Sequence, residues 1–126
     1  MQYKLTKRSN PMNRDEEKWY AAPVNDGKIT KTEVVKEIVN TSSLSRGDVS
    51  NAIENLIDIV PKYLLMGKSV NLGELGTLRL SFSSKGVDKP EEFNVSLIKG
   101  VRIVFTPSTD FKESIRSIKF KKEEKK

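Results

Sequence analysis

The run GKSVNLGELGTLRL, Gly67 to Leu80, decides the fold. It holds three of the chain's seven glycines, set among Val, Leu and Thr. Two readings compete for it: a glycine loop that cradles a phosphate, and a turn between strands. A phosphate loop opens onto a helix N-terminus, so that backbone N–H groups and the helix dipole face the anion. Gly67, Gly73 and Gly76 precede a strand instead. In the following TLRLSFS, Leu78, Leu80 and Phe82 alternate with Arg79, Ser81 and Ser83, the period of two of a strand. The triplet GKS at 67–69 has neither the upstream glycine nor the downstream helix of a P-loop. The run therefore reads as a helix end at Gly67, a short strand at SVNL, and a turn into a sheet.

Upstream, ITKTEVVKEIVN carries a capping box, Thr30 with Glu33, and a hydrophobic staple, Ile29 with Val34. Val34, Val35, Ile38 and Val39 form its expected buried stripe. A second helix repeats this grammar, with Ser45 as N-cap, Asp48 three residues on, and Leu44 and Val49 as staple. Val49, Ala52, Ile53, Leu56, Val60, Tyr63 and Leu64 follow a 3.6-residue period. Pro61 interrupts it and predicts a kink or a split, because proline cannot donate to the Ile57 carbonyl. The N-terminal QYKLTKR and KWYAAPV read as strands of a hairpin over residues 2–24, joined by a long polar loop, SNPMNRDEE, with Asn-Pro as its turn signal.

Downstream, SKGVDKPEE is polar and reads as a loop or an arm tip, while FNVSLI and VRIVFTP read as strands separated near Lys99-Gly100. Val101, Ile103 and Phe105 share a face. STDFKESIRSI is a last helix, capped by Ser108, with Phe111, Ile115 and Ile118 on its buried side. KFKKEEKK reads as a frayed, charged tail.

The 126 residues suit one domain. Hydrophobic residues make up 36% and charged residues 32%, a balance often completed by pairing with a second copy. Cysteine and histidine are both absent, which removes thiolate chemistry, the commonest general base and the commonest metal ligand. Glu54 with Asp58, and Asp88 with Glu91 and Glu92, are carboxylate pairs on paper, but they read as solvated surface. The expectation is a non-enzyme with no catalytic residue, metal, cofactor or small-molecule substrate. An apolar leader and a run of transmembrane length are both missing, so the reading is a soluble cytoplasmic protein without a membrane partner.

The net charge of +6 is unevenly placed: +3 in residues 1–31, −1 in 32–111 and +4 in 112–126. A polyanion would be drawn first to the ends. Lys4, Lys7 and Arg8 form a basic head, and Lys119, Lys121, Lys122, Lys125 and Lys126 a basic tail. Within the sheet, Arg79 and Arg102 lie on polar faces, Lys99 at a strand end, and Lys85 and Lys89 in the arm beside Pro90. Such a face suits a nucleic-acid backbone, and equally suits ordinary solubility. Trp19 and Tyr20 are read as covering a sheet or helix edge rather than stacking on bases.

From Val34 to Phe82 the chain resembles the HU and integration-host-factor family of bacterial histone-like proteins. The family's glycine-and-aromatic segment opening its sheet is matched by Gly67, Val70, Leu72, Leu75, Gly76 and Leu78, with leucines where aromatics are usual. SLIKGVRIVFTPSTDFKESI, with Phe105, Pro107 and Phe111, is similar to the family's return strand, Phe-Pro ending and C-terminal helix. The likeness covers about residues 29–118. The preceding extension is similar to a longer HU-related branch of Bacteroides-like bacteria.

The resemblance implies an α+β, HU-like fold with a protruding β-arm, an added N-terminal hairpin and an intertwined homodimer. Its parts are an extension (1–28), the HU-like domain (29–118) and a basic tail (119–126). It implies a nucleoid-associated protein that bends double-stranded DNA by backbone contacts and a minor-groove wedge, with little base reading. Pro90 falls near the wedge position, and Arg79, Lys85, Lys89, Lys99, Arg102, Lys119, Lys121 and Lys122 become the expected DNA contacts. Leu78, Leu80, Phe82, Ile103 and Phe105 become the expected sheet or dimer core. The family's arm arginines are replaced by Ser81, Ser83 and Ser84, and Lys89 stands where the family has Asn. From Ser81 to Lys99 three lysines oppose three carboxylates, so the arm is neutral. The competing expectation is an HU-like dimerisation and protein-interaction module with weak or lost DNA binding.

Overall fold

The cap chemistry written into the sequence sets where the helices begin. In the computed structural model, which describes residues 1–124, the Glu33 amide donates to Thr30 Oγ1 at 3.3 Å and opens α1 (Lys31–Asn40). The Asp48 amide donates to Ser45 Oγ at 3.1 Å and opens α2 (Arg46–Leu65). The end of α2 is a Schellman motif: the Gly67 amide donates to the Leu64 carbonyl at 3.0 Å and the Lys68 amide to that of Tyr63 at 3.1 Å.

Ahead of the helices, β1 (Gln2–Asn10) and β2 (Asn13–Pro23) form the expected antiparallel hairpin, but without the long loop: β2 begins at Asn13, and Pro11 and Met12 alone make the turn. Beyond them come β3 (Val70–Asn71), β4 (Gly76–Ser84), β5 (Ile98–Pro107), α3 (Thr109–Ser114) and β6 (Lys121–Lys122). The strands make two separate sheets, ordered β2-β1-β6 and β3-β4-β5. Helix α1 packs on α2, and α2 also touches β3 and β4.

Several expectations need correction. Helix α2 is not split at Pro61. The buried Leu64 holds its last turn in place despite the lost hydrogen bond. FNVSLI does not form its own strand. Val95–Leu97 is a 3₁₀ turn, capped by Asn94, whose side-chain oxygen accepts from the Ser96 amide at 3.0 Å. Asparagine's reach to its own backbone outcompetes the strand pattern here. The β-arm is likewise absent as a strand pair. The two strands close at Ser84 and Ile98, and Pro90–Glu92 forms a second 3₁₀ turn between them. Lys99-Gly100 does not separate two strands but lies within β5. The tail expected to fray contains β6, which runs parallel to β1 and pairs Gln2 with Lys121 and Tyr3 with Lys122. Lys125 and Lys126 lie outside the described residues.

The core of one chain is small. Val35, Val49 and Leu64 are the buried apolar side chains among the described residues. Val34, Leu56 and Tyr63, expected in helix stripes, are exposed, as are Phe111, Ile115 and Ile118 at the last helix. The accessible surface is 11069 Å². A compact monomer of this length exposes roughly 6,800 Å². Many large apolar side chains are exposed among the described residues, Phe82, Val101 and Ile103 on the second sheet among them.

Candidate nucleic-acid interface

The register of β4 against β5 separates two unlike faces. Leu78 lies opposite Phe105 and Leu80 opposite Ile103, so the predicted apolar residues share one side. Leu78 and Leu80 are half-buried, whereas Ile103 is 67% and Phe82 55% exposed. On the other side Arg79 lies opposite Val104, and Ser81 opposite Arg102. Both arginines are exposed.

A bulge brings Lys99 to the same face. Between Ser81–Arg102 and Ser83–Lys99, β4 advances two residues while β5 advances three. Simple alternation from Arg102 would send Lys99 to the apolar side. Gly100, at φ +65°, absorbs the extra residue in the left-handed conformation, which costs a glycine nothing. The Arg102 guanidinium staples the bulge, donating from Nη1 to Ser83 Oγ and to the Gly100 carbonyl, each at 3.1 Å. Arginine has five N–H donors, so outward-facing ones remain for a phosphate.

The other predicted contacts fall in two places. Lys85, Lys89 and Pro90 sit in the connection between β4 and β5, with the Lys85 amide bonded to the Leu97 carbonyl at 3.1 Å. Pro90 opens its first 3₁₀ turn. Lys119, Lys121 and Lys122 lie with the hairpin: the Lys119 carbonyl accepts from the Met1 amine at 2.9 Å, and β6 continues from there. Arg79, Lys99 and Arg102 thus form one group and the tail lysines another, on a different sheet.

Sequence reasoning overlooked Lys18, which lies opposite Arg8 on β2. A strand period alone does not reveal it, because facing residues follow from register. Trp19 and Tyr20 are exposed and point to opposite faces of the hairpin sheet, as adjacent strand residues must. No group of three or more Asp or Glu side chains that could hold a metal ion occurs among the described residues. No described helix is long and apolar enough to cross a membrane.

Among solved structures, a candidate bacterial DNA-binding protein from Bacteroides vulgatus matches with a TM-score of 0.61 and 17% identity over 96% of this chain. That likeness concerns the fold. This chain spans 47% of that one, about half its length. No curated protein matches. A family model described as an HU domain fused to a wHTH, Ig or glycine-rich motif matches residues 1–122, taking in the hairpin, both long helices, the second sheet and β6. The chain therefore belongs to the HU-HIG family of HU-domain proteins.

Proposed function

We propose that the chain is a nucleoid-associated, architectural DNA-binding protein, of the longer HU-related branch, that works as a homodimer in the cytoplasm. Double-stranded DNA is held by its backbone with little sequence preference and is bent at the minor groove. The observation that carries this reading is the sheet face on which Arg79, Lys99 and Arg102 stand together, backed by an apolar face with no cover in the single chain. Leu78, Leu80, Phe82, Ile103 and Phe105 form the core between two copies in this reading. Family membership supports it.

A second reading rests on one specific observation. The β4–β5 connection carries Lys85 and Lys89 against Asp88, Glu91 and Glu92, a net charge of −1, and it forms 3₁₀ turns where a DNA-gripping arm would extend. That favours an HU-like dimerisation and protein-interaction module with weak DNA binding.

A salt series of duplex binding separates the two. Each phosphate contact contributes about 0.9 to the slope of log Kobs against log[salt]. The first reading expects a steep slope that falls in Arg79→Gln/Arg102→Gln. Lack of binding by the unaltered protein at low salt would overturn it in favour of the second.

A further inference from the structure

The parallel pairing of β6 with β1 gathers both basic ends of the chain into one small sheet. Residues 1–23 and 119–124, which build this terminal sheet, hold eight basic and five acidic side chains. Residues 24–118 hold thirteen basic and twelve acidic. The short terminal segments thus carry +3 and the longer body only +1.

The sheet is amphipathic. Tyr3 lies opposite Pro23, Leu5 opposite Ala21 and Lys7 opposite Trp19, making one largely apolar face. On the other face Lys4 lies opposite Ala22, Thr6 opposite Tyr20 and Arg8 opposite Lys18, with Lys121 beside Gln2. Lys18 is paired with Glu16 at 3.4 Å and Lys121 with Glu124 at 3.3 Å. Lys4 and Arg8 make no ion pair among the described residues. The Arg8 guanidinium lies over the Tyr20 ring, 5.8 Å from its centroid, which restrains the side chain over this face. Four residues along a strand set Lys4 and Arg8 about 13 Å apart. The major groove of B-DNA is about 12 Å wide. Two cations so spaced on a flat face can meet phosphates on either side of one groove, without any side chain entering to read bases.

We infer that this face of the terminal sheet is a second contact surface for the DNA backbone, separate from the β4–β5 face, with Lys4 and Arg8 as its principal contacts and Lys18 beside them. The inference rests on the proposed DNA binding and adds a surface to it. Net attraction by a basic segment and occupation by an acidic protein are the competing outcomes.

The test compares Lys4→Gln/Arg8→Gln with Lys7→Gln, which removes a charge from the opposite face. Binding of a 40-base-pair duplex is followed by fluorescence anisotropy across a potassium chloride series. The inference expects the double variant to lower the salt slope by about 2 per chain, with Lys7→Gln close to the unaltered protein. An equal loss per charge from Lys7→Gln would reduce the effect to net charge and overturn the inference. An unchanged slope in the double variant would also overturn it, while leaving DNA binding intact; failure of the unaltered protein to bind would sink the parent reading. A measurement on the unaltered protein avoids any question of folding. Acetylation of Lys4 and Lys18 should slow when duplex is added, and unchanged reactivity counts against the surface.

Discussion

Gly76 and Phe105 pack so closely across the β4–β5 pair that no side chain fits between them. A Cβ on Gly76 would stand 2.8 Å from Phe105 Cε2 and would also collide with the Thr106 carbonyl oxygen. The φ of Gly76, +147°, is itself a conformation that other residues avoid. The expected outcome for Gly76→Ala is a loss of about 2–4 kcal/mol, from backbone strain together with overpacking. A lowered urea midpoint at unchanged m-value would show it, and a midpoint equal to the parent's would contradict it.

Gly100 has a different task. Open space surrounds it, so a side chain there meets nothing, yet φ +65° remains costly for a branched residue. Gly100→Val should therefore lose about 1–2 kcal/mol. The strained bulge also ceases to present Lys99 beside Arg102, so the DNA salt slope should fall by about 0.9 per chain. Denaturation and binding titrations read the two effects separately.

Leu64 is one of three buried apolar side chains among the described residues and anchors the end of α2. Its truncation to alanine should cost about 2–5 kcal/mol, because a core this small has little material with which to collapse onto the cavity. Chemical denaturation measures it. A cost below 1 kcal/mol would show that the helix pair contributes little to stability.

The uncovered face of β4–β5 leads to a prediction about assembly. The unaltered protein should sediment as a dimer, with a melting temperature that rises with protein concentration. Ile103→Glu places a charge on that face and should shift the species to monomer at equal concentration. Sedimentation velocity decides the matter, and a dimer persisting in Ile103→Glu would move the interface elsewhere.

Pro90 opens a 3₁₀ turn at the far end of the sheet. If it wedges between base steps, Pro90→Ala should reduce the DNA bend angle while leaving the dimer intact. Energy transfer between dyes at the duplex ends reports the angle. An unchanged bend removes Pro90 from that role.

Local chemistry was the legible part of this fold. Thr30, Ser45 and Ser108 cap their helices because a hydroxyl beside an orphan amide acts over three residues, within reach of sequence reading. The alternation of Leu78, Leu80 and Phe82 predicted their face for the same reason. The stretch from Phe93 to Leu97 was misread because Phe93, Val95 and Leu97 alternate like a strand, while the Asn94 side chain closes a local turn. Strand β6 was illegible because two lysines have no period, and their partners are Gln2 and Tyr3 at the other end of the sequence. The exposure of Val34 and Ile115 was missed because a helical stripe predicts that a face will be covered, not which chain covers it. Among the candidate contacts, the grouping of Lys99 with Arg102 needed the bulge at Gly100, which shows only in register.

The bond between the Met1 amine and the Lys119 carbonyl joins positions 118 residues apart. A ribosome adding about 5–20 residues each second makes the hairpin wait roughly 5–20 s for its third strand. Throughout that interval β1 and β2 form an unsupported ribbon, a state marginal in water. The helices and the second sheet, whose partners lie closer in sequence, have time to form before the clasp between the two ends closes. The hairpin thus gains its third strand only after the helices and the second sheet have been made.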